Sequence, residues 1–304
     1  MRYNLRIGSR ASPLALKQAK IVCDALQKAL PYDDFNFEVI GLKTQGDKLK
    51  DVSLTEFGGK GLFTRELDEA LFKGIIDIAV HSAKDLPTLI PEGVKIVAYL
   101  EREDPRDALI SPHVRDYQSL PQGAVIGTAS LRRQAQLYQL RPDLSFTLIR
   151  GNVETRIQKI ENGYAAATLL AVAGLKRGGH LDKAAYIFDT HDMLPAIGQG
   201  ALAICLRYGD DALHALVQKA NHSPTYQCLL AERVMLRTLD GSCRTPIAGY
   251  ATYQGNKIQL EGFYASADGK IAYRYKAQHE DPLFLGVYVA HKLREGLKKK
   301  QETT

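Results

Sequence analysis

Two neighbouring arginines stand where a helix start would normally disfavour a cation. The segment Ser130-Leu131-Arg132-Arg133 puts both in the first turn of a predicted helix. The helix dipole disfavours a cation there by about 0.3–1 kcal/mol at an exposed site. The free backbone N–H groups of the same turn favour an anion. We therefore expect an anion beside this helix start.

Four further arginines lie near predicted strand or helix ends: Arg10, Arg150, Arg156 and Arg177. The planar guanidinium group suits a carboxylate in two-point contact. The set therefore favours a ligand with several carboxylates or phosphates. Scattered surface arginines in weak ion pairs are the alternative, and the pattern alone leaves both open.

One acidic residue follows a predicted apolar strand in the segment HSAKD, residues 81–85. In one interpretation Asp85 is a turn carboxylate paired with Lys84. In the other it stabilises positive charge that develops in a transition state.

One cysteine, Cys243, lies in the polar segment LDGSCRTP, directly before Arg244. A nearby cation lowers a thiol pKa and favours the nucleophilic thiolate, although an ordinary loop thiol is the alternative. The other three cysteines lie in apolar runs and are predicted to be free thiols in the core: Cys23, Cys205 and Cys228.

Several common site types are disfavoured by the sequence. The loop GGKGLF, residues 58–63, lacks the Ser or Thr of a phosphate-binding P-loop, so we interpret it as a mobile loop with Lys60 and Phe63 at its tip. No GxGxxG segment opens a helix, which disfavours a dinucleotide site. The eight histidines show no metal-ligand spacing, so no metal site is expected.

The elements that must position these residues alternate along most of the chain. Of 304 residues, 45% are hydrophobic and 24% charged, which indicates a globular protein of two or three domains. Ser12-Pro13 is predicted to begin one helix and Asn152 to cap another. Alternating strands and helices predict mostly parallel sheets, with ligands at the carboxyl ends of the strands. The grouped strands near the C-terminus instead predict a small α+β domain.

Taken together, the motifs resemble the porphobilinogen deaminase family from Arg10 to about Ile247. The segments that carry the resemblance occur in the family's order: SRASPLAL, TQGD, GGKGLFTRELDEAL, AVHSAKDLP, EREDPRDA, GTASLRRQAQL, IRGNVETR, AVAGLKR, LPAIGQGA and GSCRTPIAG. The implied fold is α/β: two doubly wound domains resembling periplasmic binding proteins, plus a small C-terminal α+β domain. The expected domains are 1–100 with 201–218, then 106–194, and finally 223–304, which carries the cysteine loop.

The resemblance implies a transferase, hydroxymethylbilane synthase, of porphyrin and haem biosynthesis. Such enzymes join four porphobilinogen molecules head to tail with loss of ammonia, on a covalent dipyrromethane cofactor, and release the linear tetrapyrrole by hydrolysis. Each porphobilinogen carries an acetate and a propionate, so the growing chain is the polyanion that the arginines predict.

The same resemblance assigns roles residue by residue. Asp85 matches the catalytic carboxylate, and Cys243 matches the thioether anchor of the cofactor. Residues that match cofactor-carboxylate ligands are Ser82, Lys84, Thr128, Ser130, Arg132 and Arg133. Residues that match ligands of the incoming substrate or the growing chain are Arg10, Ser12, Gln18, Arg150, Arg156 and Arg177. Lys60 and Phe63 match a loop that covers the cleft.

The chain departs from the family pattern at Gln45, Ala129 and Ser242, and Ser242 adds a side chain beside the cysteine anchor. Two rival functions explain the arginines without a modified cysteine: a non-enzymatic anion-binding protein and a basic nucleic-acid binder. The net charge of +6 alone does not choose between them. Nucleic acid is disfavoured because the arginines cluster at helix starts and are not interleaved with aromatic residues.

The segment MRYNLRIGSR lacks the apolar core of a secretion signal, and no run of about eighteen apolar residues occurs. We therefore expect a cytoplasmic protein with no membrane span. The family resemblance implies a monomer.

Overall fold

The computed structural model describes residues 2–31, 34–48, 63–241 and 245–303. The described residues form two compact units. The first unit holds residues 2–48, 63–103 and 200–226 within these ranges, and the second holds 104–199 and 227–303. The division into three domains at the boundaries given above stays a prediction.

The strands of the described chain are, in order, β1 (Arg2–Arg10), β2 (Asp34–Leu42), β3 (Ile78–Ser82), β4 (Val94–Tyr99), β5 (Asp107–Ile110), β6 (Val125–Gly127), β7 (Ser145–Thr147), β8 (Ala167–Ala171), β9 (Tyr186–Ile187), β10 (Leu202–Arg207), β11 (Ile247–Gln254), β12 (Lys257–Ala265) and β13 (Ala272–His279). The helices are α1 (Pro13–Ala29), α2 (Gln45–Lys48), α3 (Arg65–Phe72), α4 (Leu131–Leu140), α5 (Val153–Glu161), α6 (Val172–Gly178), α7 (Asp211–Val217), α8 (Ser223–Thr238) and α9 (Pro282–Thr303). Short 3-10 turns lie at Ala83–Asp85, Leu181–Lys183 and Gln218–Ala220.

The first unit is built on a five-stranded sheet in the order β2-β1-β3-β10-β4. Strand β1 runs parallel to β2 and β3, whereas β10 runs antiparallel to both of its neighbours. Helix α1 packs on one face, where Val22 and Leu26 join Ile7 in a buried core. Helix α3 packs through Leu67 and Leu71 in the core that contains Ala79 of β3. Helices therefore cover both faces of the sheet.

The second unit holds a five-stranded sheet, β7-β6-β8-β5-β9, and a three-stranded antiparallel sheet, β11-β12-β13. In the larger sheet β6 runs parallel to β7 and β8, and β5 runs antiparallel to β8 and β9. Helices α8 and α9 supply Met235 and Leu293 to the core of the smaller sheet. The expected class, α/β with a small C-terminal α+β part, is confirmed. The sheets are mixed, since β10 and β5 oppose their neighbours.

Local signals placed the helix starts correctly. Helix α1 begins at Pro13, and the Ser12 hydroxyl accepts the backbone N–H of Ala15 at 3.3 Å. Asn152 caps α5 by accepting the N–H of Thr155 at 2.8 Å. Both predicted caps are confirmed because a cap satisfies backbone groups only three residues away.

Candidate active site

A small cavity of about 100 Å³ opens at one edge of the first unit's sheet. Strands β1 and β3 are parallel neighbours, so their carboxyl ends meet at this edge. Arg10 ends β1, Ser82 ends β3, and the turn Ala83–Asp85 follows directly. The cavity brings together seven residues that the sequence singled out: Arg10, Ser12, Gln18, Phe63, Ser82, Lys84 and Asp85.

Opposite charges stand side by side in this cavity. Arg10 Nη1 lies 3.8 Å from Asp85 Oδ2, which is an ion-pair contact too long for a hydrogen bond. The two side chains keep 25% and 32% of their surface exposed, so both remain accessible from solvent. The Arg10 guanidinium also lies 4.5 Å from the centre of the Phe63 ring. The cavity can therefore attract an anionic group at Arg10 and stabilise a cation at Asp85.

Polar side chains of α1 and β3 are linked beneath these charges. The Gln18 amide nitrogen donates to the Ser82 hydroxyl at 2.9 Å. Gln18 itself is 6% exposed, so this bond holds Ser82 in place from the interior. Lys84 is exposed at the rim of the same turn.

One cavity residue, His81, was not singled out from the sequence. It is 4% exposed, and burial, together with the charge of Arg10, lowers the pKa of His81 to about 4. The imidazole is therefore neutral near pH 7. A polar residue inside the apolar strand IAVHS was the signal that could have drawn attention to it.

In the second unit, Arg132 and Arg133 do have an anion beside them, and it is Asp107. Arg132 Nη1 donates to Asp107 Oδ2 at 2.7 Å, and Arg133 Nη2 donates to Oδ1 at 2.6 Å. Asp107 is fully buried. Burial alone would raise the pKa of Asp107, but the two guanidinium charges hold it well below its usual range.

The anion predicted beside this helix start is therefore a carboxylate of the chain itself. Each arginine also donates to a backbone carbonyl, Arg132 to Leu194 and Arg133 to Leu169. Nε of Arg133 is buried with no hydrogen-bond partner among the described residues. Whether the pair also binds cofactor carboxylates stays a prediction.

The hydroxyl residues expected beside these arginines lie at the start of α4. Ser130 is its N-cap, with its hydroxyl accepting the Arg133 N–H at 3.4 Å. The Thr128 hydroxyl is buried and accepts the Ser130 N–H at 3.1 Å.

The remaining predicted arginines of the second unit surround α5 and α6. Arg150 precedes α5, Arg156 lies in its first turns, and Arg177 lies in the last turn of α6. Arg156 Nε donates to the carbonyl of Gly151 at 2.8 Å. Each therefore lies near a helix end, as predicted.

Cys243 and Lys60 fall outside the described residues, as does most of the loop 58–63. The described thiols, Cys23, Cys205 and Cys228, are buried, and none of these three forms a disulfide bond. Burial raises the pKa of Cys23 to about 11, which disfavours the reactive thiolate. Among the described residues, no cluster of His, Cys, Asp or Glu could hold a metal ion. No helix within the described ranges is long and apolar enough to span a membrane.

Fold and site together define an α/β protein with a charged small-molecule cavity at a strand edge. Residues 5–215 match the family described as porphobilinogen deaminase, dipyromethane cofactor binding domain. Residues 226–295 match the porphobilinogen deaminase C-terminal domain. The chain belongs to the porphobilinogen deaminase family. This confirms the resemblance drawn from the motifs, and with it the transferase class and the dipyrromethane cofactor of the family.

Individual relatives agree with this assignment. The porphobilinogen deaminase of Nitrobacter winogradskyi is 49% identical over 291 residues, which cover 95% of this chain and 92% of the relative. That of Geotalea uraniireducens is 46% identical, with 95% and 91% covered. Among solved structures, immunogenic lipoprotein A from Vibrio vulnificus matches with a TM-score of 0.45 and 11% identity, over 73% of this chain and 96% of that chain.

Proposed function

We propose that this protein is a hydroxymethylbilane synthase that joins four porphobilinogen molecules head to tail and releases the linear tetrapyrrole by hydrolysis. The observation that carries the proposal is the 3.8 Å approach of Arg10 and Asp85 in one cavity of a porphobilinogen deaminase family member. The substrate has anionic side chains and passes through a cationic form. A site for such a reaction needs a cation that binds the anionic side chains and an anion that stabilises the cationic form.

Asp85 is the proposed catalytic carboxylate. The C–N bond of the substrate's aminomethyl group, in its protonated ammonium form, breaks, and the nitrogen leaves as ammonia. The methylene-pyrrole left behind is a cation, which the Asp85 carboxylate stabilises. A C–C bond then forms between this methylene carbon and the free α-carbon of the terminal pyrrole ring of the growing chain, and that α-carbon loses its proton. Arg10 opposes a cation by its own charge, so an anion beside it is essential.

The residues present fit a dipyrromethane cofactor. A dipyrromethane built from porphobilinogen offers carboxylates and pyrrole N–H groups. The residues proposed to hold its carboxylates are Ser82, Lys84, Thr128, Ser130, Arg132 and Arg133. Hydroxyl, ammonium and guanidinium donors suit that task, and the unpartnered Nε of Arg133 fits a carboxylate ligand. When bound, the cofactor supplies the pyrrole carbon from which the chain grows.

The substrate itself is assigned to a second set of donors. Arg10, Ser12 and Gln18 in the first unit are proposed to bind the incoming ring. Arg150, Arg156 and Arg177 in the second unit are proposed to bind carboxylates of the growing chain. Lys60 and Phe63 are proposed to cover the ligand, with Phe63 already stacked on Arg10.

An intact-mass measurement tests the function and the anchor together. We expect the purified protein to exceed its sequence mass by one dipyrromethane. Cys243→Ala should lose both the adduct and porphobilinogen consumption. Cys228→Ala is the matched control, because that thiol is buried and belongs to a core, and it should keep both.

Two other outcomes of this measurement would contradict the proposal. An unmodified wild-type protein that binds anions without consuming porphobilinogen would establish a non-enzymatic anion-binding protein. An adduct mapped by peptide analysis to another cysteine would overturn the role of Cys243.

We further propose that the enzyme acts as a cytoplasmic monomer. The resemblance to the porphobilinogen deaminase family supports this. Light scattering on the holoenzyme should give a mass near that of one chain, and twice that mass would overturn the monomer.

A further inference from the structure

His81 occupies a central position in the first unit without an evident structural task. It lies opposite Ala203 of β10, in strand β3, whose other neighbour in the sheet is β1. It is one of the residues that line the cavity together with Arg10 and Asp85, and the Arg10 charge acts on its ring. A residue at such a position in a sheet core is ordinarily apolar.

The imidazole is buried and lacks the partners that buried polar groups normally have. It is 4% exposed, and its Nε2 atom has no hydrogen-bond partner among the described residues. Leaving a buried polar atom unsatisfied is costly, so each such atom in a native protein calls for a physical explanation. A strand that keeps histidine there gains something when a ligand is present.

The charges around the cavity indicate which ligand group would meet the ring. Arg10 and Lys84 are cationic, and Asp85 is the anionic residue among the lining side chains. The two cations favour a carboxylate at this wall. A neutral imidazole always carries one N–H, which is a donor that a carboxylate accepts. Burial and Arg10 keep the ring neutral near pH 7, so it adds a donor without adding a further charge.

We propose that His81 contacts the substrate and donates its ring N–H to a carboxylate of a bound pyrrole. The inference rests on the proposed function and adds a ligand-binding residue to it. His81 then selects for acidic side chains on the ring, alongside the charge of Arg10.

The test uses the full-length holoenzyme labelled with ¹⁵N-histidine. The probe is an unreactive pyrrole that carries acetate and propionate but lacks the aminomethyl group. Its matched partner is unsubstituted pyrrole, which has no carboxylate. We expect the His81 ring-nitrogen resonances to move on addition of the diacid probe and to stay in place with unsubstituted pyrrole. His81 signals are assigned by their loss in His81→Gln.

Variants measure the same contact as an affinity. His81→Phe keeps a ring but removes both nitrogens, and should weaken probe binding about tenfold or more, as expected for a hydrogen bond to a charged group. His81→Gln keeps a polar amide and should recover part of that loss. His113→Gln, at an exposed histidine of the second unit, is the control and should bind as the wild type does.

The outcomes separate this inference from the function on which it rests. If the wild type carries its adduct and binds the diacid probe, but the His81 resonances do not move, the inference alone is overturned. Equal probe affinity in folded His81→Phe and wild type overturns it as well. If the wild type neither carries an adduct nor binds the probe, both proposals fail together.

Discussion

Arg10 and Asp85 place two opposite charges in one cavity. A carboxylate that forms a strong, hydrogen-bonded ion pair with a neighbouring cation is less able to stabilise a cationic form of the substrate. The 3.8 Å separation avoids a hydrogen bond, and both side chains keep about a quarter to a third of their surface open. Asp85 therefore lies near Arg10 without a hydrogen bond to it in this ion pair, and its carboxylate remains accessible to a ligand. The Phe63 ring on the guanidinium gives Arg10 a second contact that also restrains it.

Removing the Asp85 charge should stop the reaction while leaving the cofactor in place. Asp85→Asn keeps the shape and one acceptor oxygen, but cannot stabilise a developing cation. We expect turnover to fall about a hundredfold or more, as measured by porphobilinogen consumption. Asp85→Glu keeps the charge one methylene further out, so it should retain some activity and accumulate enzyme–substrate intermediates.

Asp211→Asn provides the control for this pair of variants. Asp211 is an exposed residue in the first turn of α7, and its replacement should leave turnover unchanged. The catalytic role of Asp85 would have to be abandoned if adduct-loaded Asp85→Asn turned over within a few-fold of wild type.

The neutral state of buried His81 has a consequence for stability against acid. In the unfolded chain the pKa of His81 is about 6.5, whereas in the folded protein its pKa is lowered to about 4. Between these values the unfolded chain binds the proton and the folded chain does not. Stability should therefore fall as pH drops from about 6.5 to about 4, by at most about 1.4 kcal/mol per pH unit.

His81→Phe should remove this part of the pH dependence, whatever its effect on stability at neutral pH. Urea unfolding at several pH values in that window gives the slope directly. His113→Gln should keep the wild-type slope. A slope in His81→Phe equal to that of wild type would mean that His81 does not stay neutral in the folded protein.

At the level of elements, Asp107 joins several segments of the second unit. It opens β5 and binds the first turn of α4 through Arg132 and Arg133. The Gln199 amide donates to the same carboxylate at 3.0 Å and to the Pro105 carbonyl at 2.7 Å. The pair that the family resemblance assigns to the cofactor is therefore fixed by a fully buried carboxylate. Arginines held this way are preorganised for a ligand.

Breaking this arrangement should be costly. Asp107→Asn leaves two buried guanidinium groups without their anion, and removal of one partner from a buried ion pair typically costs about 3–5 kcal/mol. Urea unfolding at pH 7 should show a loss of that size. Asp143→Asn is the control, since its partner Arg141 forms a solvent-accessible pair, and its loss should be much smaller. Similar losses in both variants would show that the buried network contributes no special stability.

Gly200 lies where the chain returns to the first unit, and its backbone geometry requires a residue without a side chain. Gly200 has φ +94°, and a Cβ there would lie 2.3 Å from the carbonyl oxygen of Glu103. Gly209 has a comparable φ of +90° but open space around it. Gly209→Ala should cost about 1–2 kcal/mol from backbone strain alone. Gly200→Ala should cost clearly more in the same urea assay, because backbone must shift as well. Equal losses would show that the backbone relaxes freely at Gly200.

The sequence predicted those features that depend on near neighbours. The caps at Ser12 and Asn152 are local, and both are observed. The sequence predicted an anion beside Arg132 and Arg133, but it did not predict that this anion is Asp107. Asp107 lies 25 residues earlier in a charged, proline-containing segment that resembles a linker. The pairing of β5 with β8 and β9 brings that segment into the core.

Two further features could not be read from patterns. A histidine inside an apolar strand marks the position as unusual, but no local pattern shows that its ring lies at a cavity. The antiparallel direction of β10 is likewise a property of the returning chain, because an apolar strand has the same pattern in either direction. Both depend on contacts between residues far apart in sequence.

At the scale of the whole molecule, we expect net charge to affect how fast substrate reaches the enzyme. The protein carries a net charge of +6, and the proposed substrate side chains are anionic. Added salt screens this attraction. We therefore expect kcat/KM for porphobilinogen to fall several-fold between about 20 mM and about 500 mM sodium chloride. The change should appear in KM, whereas kcat at saturating substrate should vary little, because bound groups are screened less than free ones.

Choline chloride at the same ionic strength is the control for sodium, and potassium glutamate is the control for chloride. All three salts should produce the same fall. If kcat/KM does not change with ionic strength, the basic surface plays no part in capture, and the arginines act only after the substrate is bound.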